Sequence, residues 1–391
     1  MVRRLWALIV GGSGRPIALV AGILTLAGAF AVLLAGGGSR ATTLRHRTGD
    51  TARPIEPPGT IVYARNTGSG VFHDSAGPFT IADLHGAVIE SLPGGSSCCF
   101  GTSPTPRLLT AAVDRKAAVQ PVVVTSRGWA AVAKPRAAGK LHLEPGAISA
   151  DGYVLAMSGT DPARPAADGI YIETLPRGTL RRVTHASPGH PQRALSFSPD
   201  GSRLLIFQHT HGVFGSIDVV SASGGRVTRV GRTESTCCYF GPPGTWSPDG
   251  MHITYAGFVH HPGQPTGQSA VFVANALGGH VRRVTVWGTW TTSARWSPAG
   301  DWIVFDRVNT GDFHDEFLVR PDGSAQHVLD THVVTGGSCC AQWSPDGRDL
   351  LYEHLEQNGN VALWVMSAFG PPQRRRVTDT LGTYLSFAWV R

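Results

Sequence analysis

Five residues, Trp343-Ser344-Pro345-Asp346-Gly347, constrain the fold of this chain more than any others, because they recur. The same pentad stands at Trp246-Ser247-Pro248-Asp249-Gly250. Near copies stand at Phe197-Ser198-Pro199-Asp200-Gly201 and Trp296-Ser297-Pro298-Ala299-Gly300. Ile148-Ser149-Ala150-Asp151-Gly152 is a worn copy, and Thr102-Ser103-Pro104-Thr105-Pro106 keeps only Ser-Pro. Trp389-Val390-Arg391 ends the chain where a seventh copy would begin. Aligned on the Ser, the copies fall at 103, 149, 198, 247, 297, 344 and 390, in steps of 46 to 50 residues. A repeat of that length, with short strands inside it, is the signature of a β-propeller. Unrelated hairpins in a sandwich would not generate six nearly equal intervals.

One repeat reads as four strands. The first carries the Trp into the core, and Ser-Pro-Asp-Gly makes a tight turn, Pro fixing φ and Gly free to take φ > 0. A β-rich run follows, such as Trp302-Ile303-Val304-Phe305, then an alternating strand such as Ala270-Val271-Phe272-Val273. The fourth reads Arg181-Arg182-Val183-Thr184, Arg282-Arg283-Val284-Thr285 or Arg375-Arg376-Val377-Thr378. The Arg pairs read as charges that discourage strand addition at the outer edge. Thr60 to Ala64 reads as a second strand with no first strand before it, and Tyr384 to Trp389 supplies one from the other end of the chain. Chain ends that share a blade close the ring and leave no open edge. The other blades fall at about 96–136, 141–184, 190–230, 236–285, 289–329 and 336–378, which predicts an all-β, seven-bladed β-propeller. Six or eight blades remain open, since Ala-rich 108–118 also reads as partly helical.

The Trp/Phe-Ser-Pro-Asp-Gly turns and Arg-Arg-Val-Thr strands resemble the WD-like propeller repeat of the TolB family and of the propeller domains of prolyl-oligopeptidase-type enzymes, over about residues 59–391. The resemblance implies the fold and says almost nothing of function, because such folds host many activities. It departs in two respects. The TolB family has a six-bladed ring, and prolyl-oligopeptidase-type enzymes need an appended α/β-hydrolase domain for which this chain has no residues left.

Residues 1–16 hold Arg3, Arg4 and Arg15, and Ile17 to Ala35 is a run of nineteen uncharged, Leu-, Ala- and Val-rich residues. That length spans a bilayer as a helix. Arg residues on both sides decide the orientation only weakly, and a cytoplasmic N-terminus is expected because the β domain reads as extracytoplasmic. A cleaved signal peptide is the rival reading. Residues 36–58 read as a Gly-, Thr- and Pro-containing flexible linker before the propeller of 59–391. Residues 1–53 carry seven Arg against one acid, a net of +6 in a chain of +7, so the remainder is close to neutral. The basic balance therefore suits anionic lipid headgroups beside the span and gives no support for nucleic-acid binding by the propeller. Charged residues make up only 16% of the chain, and three of its 34 basic residues are Lys, a bias that suggests a GC-rich bacterial source.

All six cysteines occur as adjacent pairs, Cys98-Cys99, Cys237-Cys238 and Cys339-Cys340, each after a fourth strand and before the next innermost strand. In a propeller that connection lies opposite the Ser-Pro-Asp-Gly turns, near the mouth of the central channel. An even count in an oxidising compartment implies disulfides. A bond within a pair is strained, since adjacent Cα atoms sit about 3.8 Å apart against a usual minimum of about 4.4 Å. Bonds between pairs would have to cross the ring. The reading taken is three vicinal disulfides forming rigid apolar knobs on a ligand-binding rim. A thiolate site for Cu(I) or Zn, or redox exchange, are the alternatives, though no Cys-x-x-Cys is present.

Most of the sixteen His, among them His209, His211, His260, His261, His314 and His332, read as solvated loop residues, with a role as metal ligands or in support of them for His260-His261 as the alternative. Asp312, Asp315 and Glu316 read as a solvated acidic loop, with cation attraction as the alternative. Trp246, Asp249, Gly250, Trp343, Asp346 and Gly347 read as structural turn residues: the Trp is core, and the Asp caps its own turn. No Gly-x-Ser-x-Gly, His-Glu-x-x-His, phosphate loop or dinucleotide fingerprint occurs. No catalytic residue, metal ligand or cofactor is assigned. The expected function is non-catalytic recognition of an envelope protein or peptide by a membrane-anchored propeller. The alternative is a channel-site enzyme or a metal- or cofactor-binding envelope protein.

Overall fold

The computed structural model describes residues 59–66, 76–92, 108–113, 119–125, 128–131, 140–175, 178–211, 214–234, 244–259, 268–288, 291–308, 314–333, 341–356, 361–371, 373–378 and 384–390. The apolar run 17–35 and the linker 36–58 lie outside them. Among the described residues no helix is long and apolar enough to cross a membrane.

The chain forms antiparallel sheets in series. The first holds β1 (Thr60–Asn66), β2 (Ala76–Ala82) and β3 (Val88–Leu92), and the second β4 (Leu108–Val113), β5 (Val119–Thr125) and β6 (Gly128–Ala131). The third holds β7 (His142–Ile148), β8 (Val154–Thr160), β9 (Gly169–Thr174) and β10 (Arg181–Arg182). In the fourth are β11 (Gln192–Phe197), β12 (Arg203–His211), β13 (Phe214–Ser221) and β14 (Thr228–Glu234). The fifth has β15 (Gly244–Trp246), β16 (His252–Val259), β17 (Gln268–Asn275) and β18 (Arg282–Arg283). The sixth has β19 (Thr291–Trp296), β20 (Ile303–Val308), β21 (His314–Val319) and β22 (His327–Val333). The seventh has β23 (Gln342–Trp343), β24 (Asp349–Leu355), β25 (Val361–Ser367) and β26 (Arg374–Arg376). The last strand, β27 (Tyr384–Val390), returns to the first sheet and pairs with β1, Trp389 opposite Ile61. Apart from β27, which stands before β1, strand order within each sheet follows chain order, and among the described residues six sheets have four strands. This is an all-β propeller, and the first sheet is completed by both chain ends as the sequence predicts. Leu108–Val113 is strand, which removes the helical alternative there.

Apolar side chains fill the junctions between sheets. Leu205, Phe207 and Ile217 of the fourth sheet pack with Trp246, Ile253 and Tyr255 of the fifth. Ile61 and Tyr63 of the first meet Leu351, Leu363 and Val365 of the seventh. Each such side chain contributes about 1.5–3 kcal/mol on burial, so the junctions carry most of the stability.

Three repeated polar contacts fix the angle between neighbours. The indole N–H of Trp246 donates to Ser196 O at 3.4 Å, that of Trp343 to Arg295 O at 3.2 Å, and that of Trp389 to Gln342 O at 2.9 Å. Each acceptor immediately precedes the corresponding aromatic residue of the preceding sheet. The turns also stack: a Cβ on Gly250 would meet Pro199 Cδ at 3.3 Å, and one on Gly347 would meet Pro298 Cδ at 3.3 Å. Finally, Arg181 donates to Ala222 O and Ser223 O, Arg282 to Pro321 O and Asp322 O, and Arg375 to Leu84 O. The first Arg of each pair thus reaches across a junction onto the next sheet's outer hairpin. Edge protection is not its whole role, because the planar guanidinium has donors enough to bind two carbonyls at once.

Candidate functional site

The Ser-Pro-Asp-Gly residues form tight turns between the first and second strands of their sheets. Ser247 and Ser344 hydroxyls donate to Asp249 and Asp346, whose carboxylates also accept the N–H of Met251 and Arg348 at 2.8 and 3.2 Å. Gly250 and Gly347 close the turns with φ of 68° and 73°. Both carboxylates thus hold their own turns through Oδ1. Where the copy reads Ala299, Ser297 donates instead to Asp301 at 2.9 Å. Hydroxyl donors hold Asp200 down to about 2. In Asp249 the Ser247 hydroxyl and the Met251 amide outweigh a burial effect of opposite sign, so its pKa is lowered too. All six cysteines lie outside the described residues.

The residues that do converge are ones the sequence assigned to solvated loops. His314, Asp315 and Glu316 are on strand β21, and His314 and Glu316 are buried, which overturns the loop reading. The error has a simple origin. Period-2 alternation places His314, Glu316 and Leu318 on one face and Asp315 and Phe317 on the other, so alternate polar residues of one strand have opposite environments. His209, His211 and His332 also fall on strands, whereas Asp312, His260 and His261 lie outside the described residues.

The register brings three carboxylates into one row across the sixth sheet: Asp306 on β20 opposite Glu316 on β21, opposite Asp330 on β22. The side chains of Asp306 and Glu316 are wholly buried, and Asp330 is 4% exposed. His314 Nδ1 bonds the Asp306 carboxylate. Ala341 N–H, at the entry to the seventh sheet, donates to Glu316 Oε1 at 3.1 Å. Asp330 is met from the seventh sheet by Arg374 at 3.0 Å and His354 Nδ1 at 3.3 Å. Arg295, one strand further in on β19, donates to Gln342 Oε1 at 2.6 Å.

These surroundings separate the acids. Burial, with the Asp306 carboxylate beside it, pushes Glu316 up to about 8; the Ala341 amide and Arg295 only partly oppose this. Burial acts on Asp330 as well, but His354 and Arg374 outweigh it and hold that carboxyl below its ordinary value. Burial and the Asp330 charge push the Tyr352 phenol upward. Burial and the Asp306 carboxylate thus both favour the neutral form of Glu316. Among the described residues no donor meets Glu316 Oε2.

The same position in the other sheets shows how unusual this is. The residue opposite Ser158 is Ile170, opposite Phe207 is Ile217, opposite Ala256 is Val271, and opposite Glu353 is Leu363. Those four pairs and Asp306–Glu316 lie four residues past the same turn contact, in which the Ser of the turn bonds back to the start of the second strand. Among the five third-strand members only Glu316 is acidic, and only in its pair do two carboxyl groups face each other. Aligning third strands on the repeat, rather than reading 312–316 by local polarity, would have exposed it. Among the described residues no three His, Cys, Asp or Glu side chains are arranged as metal ligands.

Antiparallel sheets in series, most of them four-stranded, with Ser-Pro-Asp-Gly turns between first and second strands and one sheet completed by β27, define a WD-like β-propeller protein. The chain belongs to the TolB β-propeller family: the PD40 model, described as TolB beta propeller domain, matches residues 140–391. TolB from Acinetobacter baumannii is 18% identical over 85% of this chain and 66% of its own, just under two thirds, with a TM-score of 0.48. An oligogalacturonate lyase from Vibrio parahaemolyticus is 12% identical over 79% of this chain and 91% of its own, with a TM-score of 0.52. Kuenenia stuttgartiensis hydrazine synthase is 14% identical over 81% and 98%, with a TM-score of 0.50. Identities this low show a shared fold alone. No curated protein matches the sequence.

Proposed function

We propose that this is a membrane-anchored, extracytoplasmic propeller of a bacterial cell envelope that recognises a protein or peptide without catalysing a reaction. In this reading residues 1–16 are cytoplasmic, 17–35 form the retained anchor, 36–58 the linker and 59–391 the propeller, with the three-stranded second sheet as its seventh blade. One observation carries it. All three Cys-Cys steps fall between the last strand of one sheet and the first of the next: after β3, after β14 and after β22. Connections of that class share one face of a propeller, opposite the Ser-Pro-Asp-Gly turns. Three vicinal disulfides there would give a rigid rim, and rigidity reduces the ordering cost of binding.

The test is site-specific photo-crosslinking with the full chain in native membranes. Probes replacing Phe100, Tyr239 and Gly337 should give one shared adduct, and probes at Met251 and Arg348 on the turn face should give none. Adducts from the turn face alone would overturn the reading. A second reading is a channel-site enzyme, favoured by the buried row Asp306–Glu316–Asp330, or a metal- or cofactor-binding envelope protein using the Cys-Cys steps, since the row itself is not arranged as metal ligands. Stoichiometric metal with free thiols in the purified protein would establish it over the first. Three metal-free vicinal disulfides, found by mass spectrometry without reductant, would remove the thiolate-metal form of it.

A further inference from the structure

We propose that Glu316 is a proton-operated latch between the sixth and seventh sheets, closed while its carboxyl group is neutral. The contact that closes it is the bond from Ala341 N–H to Glu316 Oε1. Ala341 is wholly buried in the junction core with Val304 and Leu318 of the sixth sheet and Leu350, Tyr352 and Met366 of the seventh. It stands immediately before β23, the innermost strand of the seventh sheet. The latch therefore acts on the strand entry that sets where the seventh sheet begins.

Charge on Glu316 is only partly offset in this position, by the Ala341 amide and by Arg295. From β20 it faces Asp306, whose carboxylate is bonded to His314 of β21 itself. From β22 it faces Asp330, whose compensating cations, Arg374 of β26 and His354 of β24, are bound to Asp330 rather than to Glu316. From β19 comes Arg295, which donates to Gln342 and whose charge offsets part of the repulsion without overcoming it. Buried Tyr352 of β24 completes the surroundings. Neighbouring strands lie roughly 4.8 Å apart, so an ionised Glu316 is the middle member of three adjacent carboxylates in a low-dielectric layer. Leaving that layer for water is the way to relieve the repulsion, and leaving it gives up the Ala341 amide. The equivalent positions Ile170, Ile217, Val271 and Leu363 have no ionisable group, so the device belongs to this junction and not to the other four.

Hydrogen exchange of the full-length protein, followed by mass spectrometry at pH 7 and pH 9 and corrected for chemical exchange rates, tests this. The wild type should lose protection roughly tenfold in the peptides holding Glu316 and Ala341-Trp343, the ratio of ionised to neutral carboxyl about one unit above its midpoint. The peptide holding Val271, with no acidic residue in its strand, should not change. Glu316→Gln keeps a neutral acceptor for Ala341 and should be flat over the same range. Glu316→Leu should also be flat, with Ala341 less protected at both pH values. A flat wild-type profile, or the same loss in Glu316→Gln, overturns the proposal. If neither variant folds, the wild-type profile decides: a midpoint near 8 confined to this junction supports the latch, and its absence sinks it.

Discussion

The indole N–H of Trp389, two residues from the chain's end, donates to the carbonyl of Gln342 at 2.9 Å. It joins the first sheet to the seventh in the same way that Trp343 is joined to Arg295 and Trp246 to Ser196. The fourth aromatic of the series, Trp296, finds no acceptor among the described residues. Trp389→Phe should therefore lower stability by about 1 kcal/mol beyond any packing change. Trp296→Phe should forfeit no hydrogen bond and cost less. Denaturant midpoints at constant m-value measure the difference, and equal losses would refute it.

The turn glycines separate backbone strain from packing. Gly201 has φ of +71° and open space where a Cβ would go, whereas Gly250 at +68° would drive its Cβ to 3.3 Å from Pro199. Gly201→Ala should cost about 1–2 kcal/mol, the left-handed penalty alone. Gly250→Ala should cost more, because the Pro199 turn must also shift. Thermal unfolding of both variants tests the order.

Glu316 makes stability fall as pH rises. Its carboxyl ionises at about 8 in the folded chain against an ordinary 4.5, so folding takes up a proton between those values. The contribution is fully present below the unfolded value and is lost through the folded one. Each unit of separation corresponds to about 1.4 kcal/mol, so the loss amounts to several kcal/mol at most. Glu316→Gln should flatten the stability profile between pH 5 and 8. An unchanged slope would mean that this carboxyl is not its source.

Asp200 works in the opposite direction. The hydroxyls of Ser198 and Ser202 hold its pKa near 2, so its contribution is present above the ordinary carboxylate value and is lost as pH falls through about 2. Ser198→Ala should raise the Asp200 midpoint toward the ordinary value in an NMR titration and move acid unfolding to higher pH.

Arg282 donates to two carbonyls of the neighbouring outer hairpin, those of Pro321 and Asp322. Arg282→Ala should lower stability by about 1 kcal/mol, and Arg282→Lys should recover only part, since an ammonium group cannot present the planar fork. A Lys variant equal to wild type would show that charge alone suffices.

How much of this was legible follows from scale. The pentads repeat once per sheet, so spacing alone located the turns, the strand order and the first sheet completed by both ends. The pairing of β1 with β27 needed only the observation that Thr60 to Ala64 lacked a first strand. Side-chain burial in the sixth sheet was not legible locally. His314, Asp315 and Glu316 form a polar run like many loops, and only the register against β20 and β22 shows that two of them point inward. The Arg pairs were visible as charge, but their acceptors are backbone carbonyls about 40 residues further on in two cases, and across the meeting of the chain ends in the third. No local pattern specifies such partners.

The stacked turns have a consequence for where this chain can begin. Pro199 receives Gly250, Pro248 receives Gly300 and Pro298 receives Gly347, each by the same contact. A joint that repeats without change does not record which copy came first. Termini placed between two other sheets, with the present ends linked, would leave these three contacts intact. The order of the copies along the gene is thus only one of several cyclic permutations compatible with the same turn stacking.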